Sequence, residues 1–364
     1  MKHIFIFILI FSFVGAIAAN KPEKKFFSKK HIKNTMETAA LWQLDNPKHN
    51  LYDWTNGAFY AGIFSAWKTI KSKELWETME KMGESNYWKA GPRLDHADDH
   101  AVGQTYIDMY RISGDAKMIN AFRERIDEFI STPYNTAKMR PITWWWCDAL
   151  FMAPPVLVKL GMTTGDNKYI EHNDKLFKEC YELLFDEEED LYARDMSYQT
   201  NWESPKYEAN GKKIFWSRGN GWVMGGLVRV LEELPKDYKN RAFYEDMYKK
   251  MAARIIELQQ EDGLWRASLL DPDSYPGGEA SGSGFFTYAL AWGINNGLLN
   301  KDIYKPVVRK AWLGLNTLIQ NDGRVGWCQP IGADPRKNFT AESWEVYGTG
   351  AFLLAGSEVI KIKW

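Results

Sequence analysis

The chain is poor in the residues that build most metal and redox centres, with 3 cysteines and 6 histidines in 364 residues. Cys147, Cys180 and Cys328 form no CxxC pair and no Cys/His ligand spacing, which excludes a zinc ribbon and a dithiol redox site. The odd count leaves at least one thiol unpaired, and a buried free cysteine behaves as a small hydrophobe. Charge of one sign is lacking as well. The formal net charge is -1, so the clustered positive field that a nucleic-acid partner favours is missing. After the first twenty residues no apolar run approaches the length of a membrane span. Long alternating β-branched runs joined by tight Asn-Gly turns are also missing, against a sandwich or propeller. The glycine-rich segment Gly277 to Gly284 has neither a lysine nor a preceding strand, and so is no nucleotide-phosphate loop.

What is present begins with a targeting pattern. Met1-Lys2-His3 is a short basic start, Ile4 to Val14 is apolar except for Ser12, and Gly15-Ala16-Ile17-Ala18-Ala19 supplies the small residues a signal peptidase needs. Residues 1–19 read as a signal peptide without a lipidation cysteine. The mature protein, residues 20–364, is then expected to be exported, either periplasmic or secreted. No low-complexity linker divides it, so a single domain is expected.

The mature chain reads as helix almost throughout. Apolar residues recur at helical spacing in Met118 to Ile130, Val223 to Leu231, Ala252 to Leu258 and Tyr304 to Ile319. Breakers recur too. Ser113-Gly114-Asp115 and Thr164-Gly165-Asp166 each end one apolar helix and start the next. Asp190-Leu191-Tyr192, Asp262-Gly263-Leu264-Trp265 and Asp322-Gly323 through Trp327 follow other helices and precede polar loops. This is a degenerate helical-hairpin repeat with one loop-rich face, which predicts an all-α fold closed into a double ring of helices.

Aromatics are abundant: 17 Trp, 18 Tyr and 19 Phe. Three of the tryptophans are consecutive, Trp144-Trp145-Trp146, and run into Cys147-Asp148 and an apolar stretch. Neighbouring side chains face different ways on a helix or a strand, so the three cannot all enter one core. At least one indole is expected to line a cavity. Asp148 beside them is a carboxyl in apolar surroundings, which raise its pKa and suit a proton donor. The same pattern also fits a helix start with Asp148 near the cap.

Three further constellations carry polar groups. Asp95-His96-Ala97-Asp98-Asp99-His100 packs three carboxylates and two imidazoles together. It reads as a site carboxylate, as an acidic first helical turn, or as part of a metal site that lacks a second ligand cluster. Phe215-Trp216-Ser217-Arg218-Gly219-Asn220-Gly221-Trp222 offers two indole faces and a guanidinium able to grip a carboxylate with two hydrogen bonds, or else a helix start with Arg218 in an ion pair. Gly277 to Gly284 opens an apolar helix.

In their order, the segments DDHAVGQTYIDMYRISGD, WWWCDALFMAPPVLVKLGMTTGD, FWSRGNGWVMGGL, DGLWRASLLD, EASGSGFFTYALAWGINNGLL and YGTGAFLLAGSEV resemble the unsaturated glycuronyl hydrolases. The resemblance covers about residues 40 to 360 and is strongest to the unsaturated rhamnogalacturonyl type, glycoside hydrolase family 105. It implies an (α/α)6 barrel, and a reaction on lyase-generated oligosaccharides that end in a 4,5-unsaturated uronic acid. Hydration of the vinyl ether replaces ordinary glycoside hydrolysis, and no metal or organic cofactor is required. The resemblance places the general acid/base on Asp148 and its partner carboxylate on Asp98, with Asp99 one position away as the alternative. Substrate contacts fall on Trp216, Arg218 and Trp222, with Trp144 and Trp146 as aromatic faces.

One departure stands out. Some relatives carry a histidine where this chain reads Tyr192-Ala193-Arg194-Asp195. Arg194, with Lys138 and Arg140 as further candidates, fits an anionic subsite for a uronate or a sulfate. That opens ulvan-type fragments beside pectic rhamnogalacturonan. The alternatives on the same fold are a polysaccharide lyase, an inverting glycosidase with a second, base carboxylate, or a sugar-binding protein without catalysis.

Overall fold

The computed structural model describes residues 23–364. The signal peptide expected at residues 1–19 lies outside the described residues. Among the described residues fourteen α-helices follow one another: α1 (Lys29–Asp45), α2 (Trp54–Ile70), α3 (Lys73–Ser85), α4 (Ala97–His100), α5 (Gly103–Ser113), α6 (Asn120–Ser131), α7 (Ala149–Met152), α8 (Pro154–Thr164), α9 (Lys168–Leu184), α10 (Ser217–Leu231), α11 (Arg241–Glu257), α12 (Ala280–Asn295), α13 (Lys301–Thr317) and α14 (Val346–Val359). One two-residue hairpin, β1 (Phe185–Asp186) with β2 (Leu191–Tyr192), follows α9.

The helices alternate between two rings. The inner ring is α2, α5, α8, α10, α12 and α14, each packed on the next, and α14 returns to pack on α2 and close the circle. The outer ring is α1, α3, α6, α9, α11 and α13. Composition explains the sorting. Inner helices α2, α12 and α14 are apolar on nearly every face, as a helix covered on all sides must be. Outer helices such as α3, α6 and α9 bury one stripe and leave a charged face to water. This is the (α/α)6 barrel, six helical hairpins in a closed toroid.

Glycine lets the inner helices approach. A Cβ at Gly350 would stand 2.7 Å from the Ala58 carbonyl oxygen, so α2 and α14 touch backbone to backbone. At Gly226 of α10, a Cβ would collide with the carbonyl oxygen of Leu150 in α7. Gly226→Ala should therefore cost about 3 kcal/mol through overpacking, which calorimetry would read as a fall in Tm of roughly 4 °C. An unchanged Tm would mean that α7 moves freely against α10.

The breakers serve as read. Gly114 and Gly165 end α5 and α8 in the left-handed region, at φ 73° and 74°. Asp115 and Asp166 then accept hydrogen bonds from the amides of Lys117 and Lys168, 3.1 Å each, starting the next segment. Gly263 and Gly323 make the tight turns after α11 and α13 at φ 86° and 100°, and Asp190 takes the same conformation after α9 at φ 52°.

Inner-to-outer connections are short. The outer-to-inner ones, after the first, are longer: 46–53, 86–96, 132–148, 185–216, 258–279 and 318–345. They gather at one end of the toroid, where the inner helices begin. Six helix N-termini thus point their positive ends toward one mouth, an arrangement that favours an anionic substrate. At the opposite mouth the ends of the inner helices are tied by buried ion pairs. Lys159 donates to Asp108 at 2.6 Å and to Glu233 at 2.9 Å.

Candidate active site

Asp148 stands at the loop-rich mouth, one residue before α7. The chain on either side is pinned by strand-like pairing. Trp146 bridges Asp195, and the Cys147 amide donates to the Arg194 carbonyl at 2.9 Å. That pairing carries the Arg194 side chain to Asp148, with Nε 3.8 Å from Oδ2. The carboxyl is 14% exposed. Burial raises its pKa, while Arg194 and then Arg218 pull it down. The Cys147 thiol donates to Oδ2 at 3.6 Å.

Asp98 is a second buried carboxyl whose pKa responds to the charge of Asp148. Burial pushes its pKa up to about 8, the neighbouring Asp148 charge adds to that rise, and Arg93 opposes it. The shift favours the protonated form of Asp98 at neutral pH. The two acids influence each other, so the pair gives up its protons in steps rather than independently. The side chain is 17% exposed, with His96 Nδ1 3.5 Å away. His96 lies against Trp146, ring centres 4.6 Å apart, and burial holds its pKa down to about 4.

Several expected substrate contacts are placed elsewhere. Asp99 is buried and fully engaged: Arg93 Nε donates to Oδ1 at 3.0 Å and the Arg93 amide to Oδ2 at 2.6 Å. Asp98 has looser partners than Asp99, with Arg93 Nη2 3.9 Å and His96 Nδ1 3.5 Å from its Oδ2. Trp144 and Trp146 are both buried, whereas Trp145 between them is half-buried, with the guanidinium groups of Arg140 and Arg194 over its ring at 5.3 and 5.4 Å. The indole that opens outward is thus the middle one. It carries the cations with it, because a guanidinium stacks on an aromatic face.

Arg218 also differs from its expected role. Its fork is spent on the 329–332 segment, with Nη1 donating to the Gln329 carbonyl and Nη2 to the Pro330 carbonyl at 3.1 Å. It lies between Trp216 and Tyr347, 4.4 and 4.8 Å from the ring centres. Arg218 shapes that segment and acts on Asp148 through its charge, while Trp216 is buried with Nε1 on Gln329. Trp222 is fully buried among Trp54, Phe151, Phe285 and Tyr347. Lys138 is 72% exposed and pairs with Glu203 at 2.8 Å, away from the carboxyls.

Two residues join the site without a signal in the chain. Asp53 caps α2 by accepting from the Thr55 amide at 3.0 Å, and its charge still reaches Asp98. Trp54, the first residue of α2, stacks on Tyr347 at 5.2 Å. Ring closure by α14 on α2 brings these distant segments together. Among the described residues, no group of three His, Cys, Asp or Glu side chains is arranged to hold a metal ion. Nor is any described helix long and apolar enough to cross a membrane.

The arrangement holds two carboxyls whose protonated forms burial favours, a guanidinium beside Asp148 and an aromatic face at an electropositive mouth. Such a site can protonate a substrate and bind an anion. The chain is 46% identical to an unsaturated 3S-rhamnoglycuronyl hydrolase of Formosa agariphila, over 93% of each chain. It is 35% identical to a protein of the same name from Alteromonas, over 89% of this chain and 84% of that one. A solved structure named as a polysaccharide lyase superposes with a TM-score of 0.84 at 35% identity, over 91% of this chain and 97% of that one. Residues 27–363 match Glycosyl Hydrolase Family 88, and the chain belongs to that family of unsaturated glycuronyl hydrolases.

Proposed function

We propose that this glycoside hydrolase acts outside the cytoplasm on lyase-generated oligosaccharides, removing the 4,5-unsaturated uronic acid from a sulfated rhamnose of the ulvan type. Asp148, raised by burial and set against Arg194, is the observation that carries the reading. Export rests on the basic, apolar and small-residue pattern of residues 1–19.

The chemistry follows from the substrate. Asp148 in its neutral form protonates C4 of the vinyl ether, and positive charge develops at C5 and the ring oxygen. Asp148, now a carboxylate, takes a proton from the water that adds to C5. The hemiketal opens by breaking the bond between C5 and the ring oxygen, leaving a ketone at C5. The C1 hemiacetal then expels the remaining chain. Asp98, still protonated, donates to a sugar hydroxyl or to the water and keeps a second negative charge away from Asp148. Arg194 offers its guanidinium to the uronate or to a sulfate on the next sugar. Support for the sulfated rhamnose comes from the names of the two relatives, and from Arg194 at the position where some relatives carry a histidine.

A direct comparison tests the substrate. Lyase-digested ulvan should lose its unsaturated-uronate absorbance faster than lyase-digested rhamnogalacturonan, and the reverse order would reassign the enzyme to pectic fragments. Arg194→Ala should raise KM about tenfold, because a charge-assisted hydrogen bond is lost. It should also raise the pKa of Asp148, since Arg194 is the main group lowering it. The activity loss at alkaline pH, where the acid form disappears, then moves to higher pH. A pH profile unmoved by the substitution would remove Arg194 from the acid's surroundings.

The lyase reading takes support from the lyase-named structure. It requires a base able to abstract the C5 proton. His96 is held down to about 4 and the buried Tyr347 is pushed well up, so neither is poised for that task. Exposure of a lyase would be simple: absorbance would rise on intact polymer.

A further inference from the structure

A second depression opens at the same end of the toroid. Tyr275, Gly277, Trp327, Arg336, Lys337 and Phe339 line a cavity of about 300 Å³, small for a ligand pocket and of a size for one sugar ring. Trp327 is held at φ 54°, a left-handed conformation that a bulky residue adopts only when its surroundings impose it. They do: the Trp327 amide donates to the Thr340 carbonyl at 3.2 Å, and the Trp327 carbonyl accepts from Ala280 at 2.9 Å.

The indole is thereby laid against Gly277, where a Cβ would meet the ring at 2.8 Å. Phe339 meets Trp327 edge-on, 6.3 Å between ring centres. Tyr275 is fixed by its hydroxyl, which donates to Glu208 at 3.1 Å. The Lys337 ammonium stands 4.9 Å over the Tyr275 ring, and half-exposed Arg336 pairs with Asp334 at 3.4 Å. Flat apolar faces with cations at the rim match a pyranose that carries a sulfate.

The loop that carries Trp327 also runs to the partners of Trp216 and Arg218. Two residues beyond Trp327, Gln329 accepts from Trp216 and Arg218 and donates its Nε2 to the Asp334 carbonyl at 2.8 Å. Asp334 in turn acts on Tyr198, which also feels Asp195 and Arg194. Neither Asp148 nor Asp98 lines the cavity, so a sugar bound there is not the one undergoing reaction.

We propose that this cavity is a distal subsite that binds a sulfated sugar further along the same oligosaccharide, with Trp327 as platform and Lys337 as sulfate partner. The inference rests on the hydration reading for its substrate and adds a chain-length preference to it. The test uses ulvan-derived unsaturated disaccharide, tetrasaccharide and tetrasaccharide lacking only its distal sulfate on the wild type, Trp327→Ala and the surface variant Lys337→Ala.

Both variants should lower kcat/KM on the tetrasaccharide on the order of tenfold and leave the disaccharide unchanged. Loss of the distal sulfate alone should weaken the wild type and have little further effect on Lys337→Ala. Equal losses on both lengths, or no loss on the tetrasaccharide, would overturn the proposal. Titration calorimetry with the tetrasaccharide reads the subsite without turnover: tenfold weaker binding by the variants supports it, and unchanged binding contradicts it. A wild type that binds but leaves the alkene of every length intact would fault the hydration reading alone.

Discussion

Asp148→Asn should reduce kcat by about 10³-fold or more, the range of a positioned general acid, which is about 4 kcal/mol of barrier. The amide is the same shape and can still accept from the Cys147 thiol that donates to Oδ2. It cannot give a proton to C4, nor take one from water. The fold should be undisturbed, because burial already disfavours the charged form of this side chain, and removing a disfavoured charge does not cost stability at neutral pH. Absorbance decay at saturating substrate measures kcat, and circular dichroism with a melting curve checks the fold. Turnover within tenfold of the wild type would take Asp148 out of the mechanism.

Asp98→Asn should have a double effect, lowering activity on the order of 10²-fold and stabilising the protein in mildly alkaline buffer. The sign follows from the proton count. An aspartate near 3.8 in the unfolded chain and about 8 in the folded one holds more protons folded than unfolded between those values. The stability of the wild type then falls as pH rises from about 4 to about 8. Asparagine has no such dependence. Each pH unit is worth about 1.36 kcal/mol at most, and water reaching a partly exposed carboxyl reduces the sum to a few kcal/mol. A rise in Tm at pH 8 of roughly 4 °C, shrinking to nothing near pH 4, is expected. Equal melting curves at both pH values would mean that Asp98 is not held protonated.

The toroid was readable because its punctuation repeats. Gly114 and Gly165 in the left-handed region, each followed by a capping aspartate, end two successive inner helices, and the turns at Asp190, Gly263 and Gly323 end three outer ones. Local signals also pointed to Asp148, since three adjacent indoles cannot all be buried. They could not say which indole faces out. That depended on Arg194, which lies 49 positions after Trp145 and draws Trp145 into a stack.

Arg218 misled for a similar reason. A guanidinium flanked by tryptophans fits a carboxylate clamp, yet its partners are backbone carbonyls more than 110 positions away. The choice between Asp98 and Asp99 rested on Arg93, which takes both oxygens of Asp99 from a turn with no helical pattern of its own. Asp53 and Trp54 belong to the mouth only because the last inner helix closes on the first.

The central claim is that a proton reaches C4 before any glycosidic bond breaks. Running the reaction in D2O and examining the freshly released uronate by proton NMR tests it most directly. Hydration by Asp148 predicts one deuterium at C4, delivered to a single face, together with loss of the C4–C5 double bond. A product that keeps the double bond and carries no deuterium at C4 would mean ordinary glycoside cleavage, and would contradict the account.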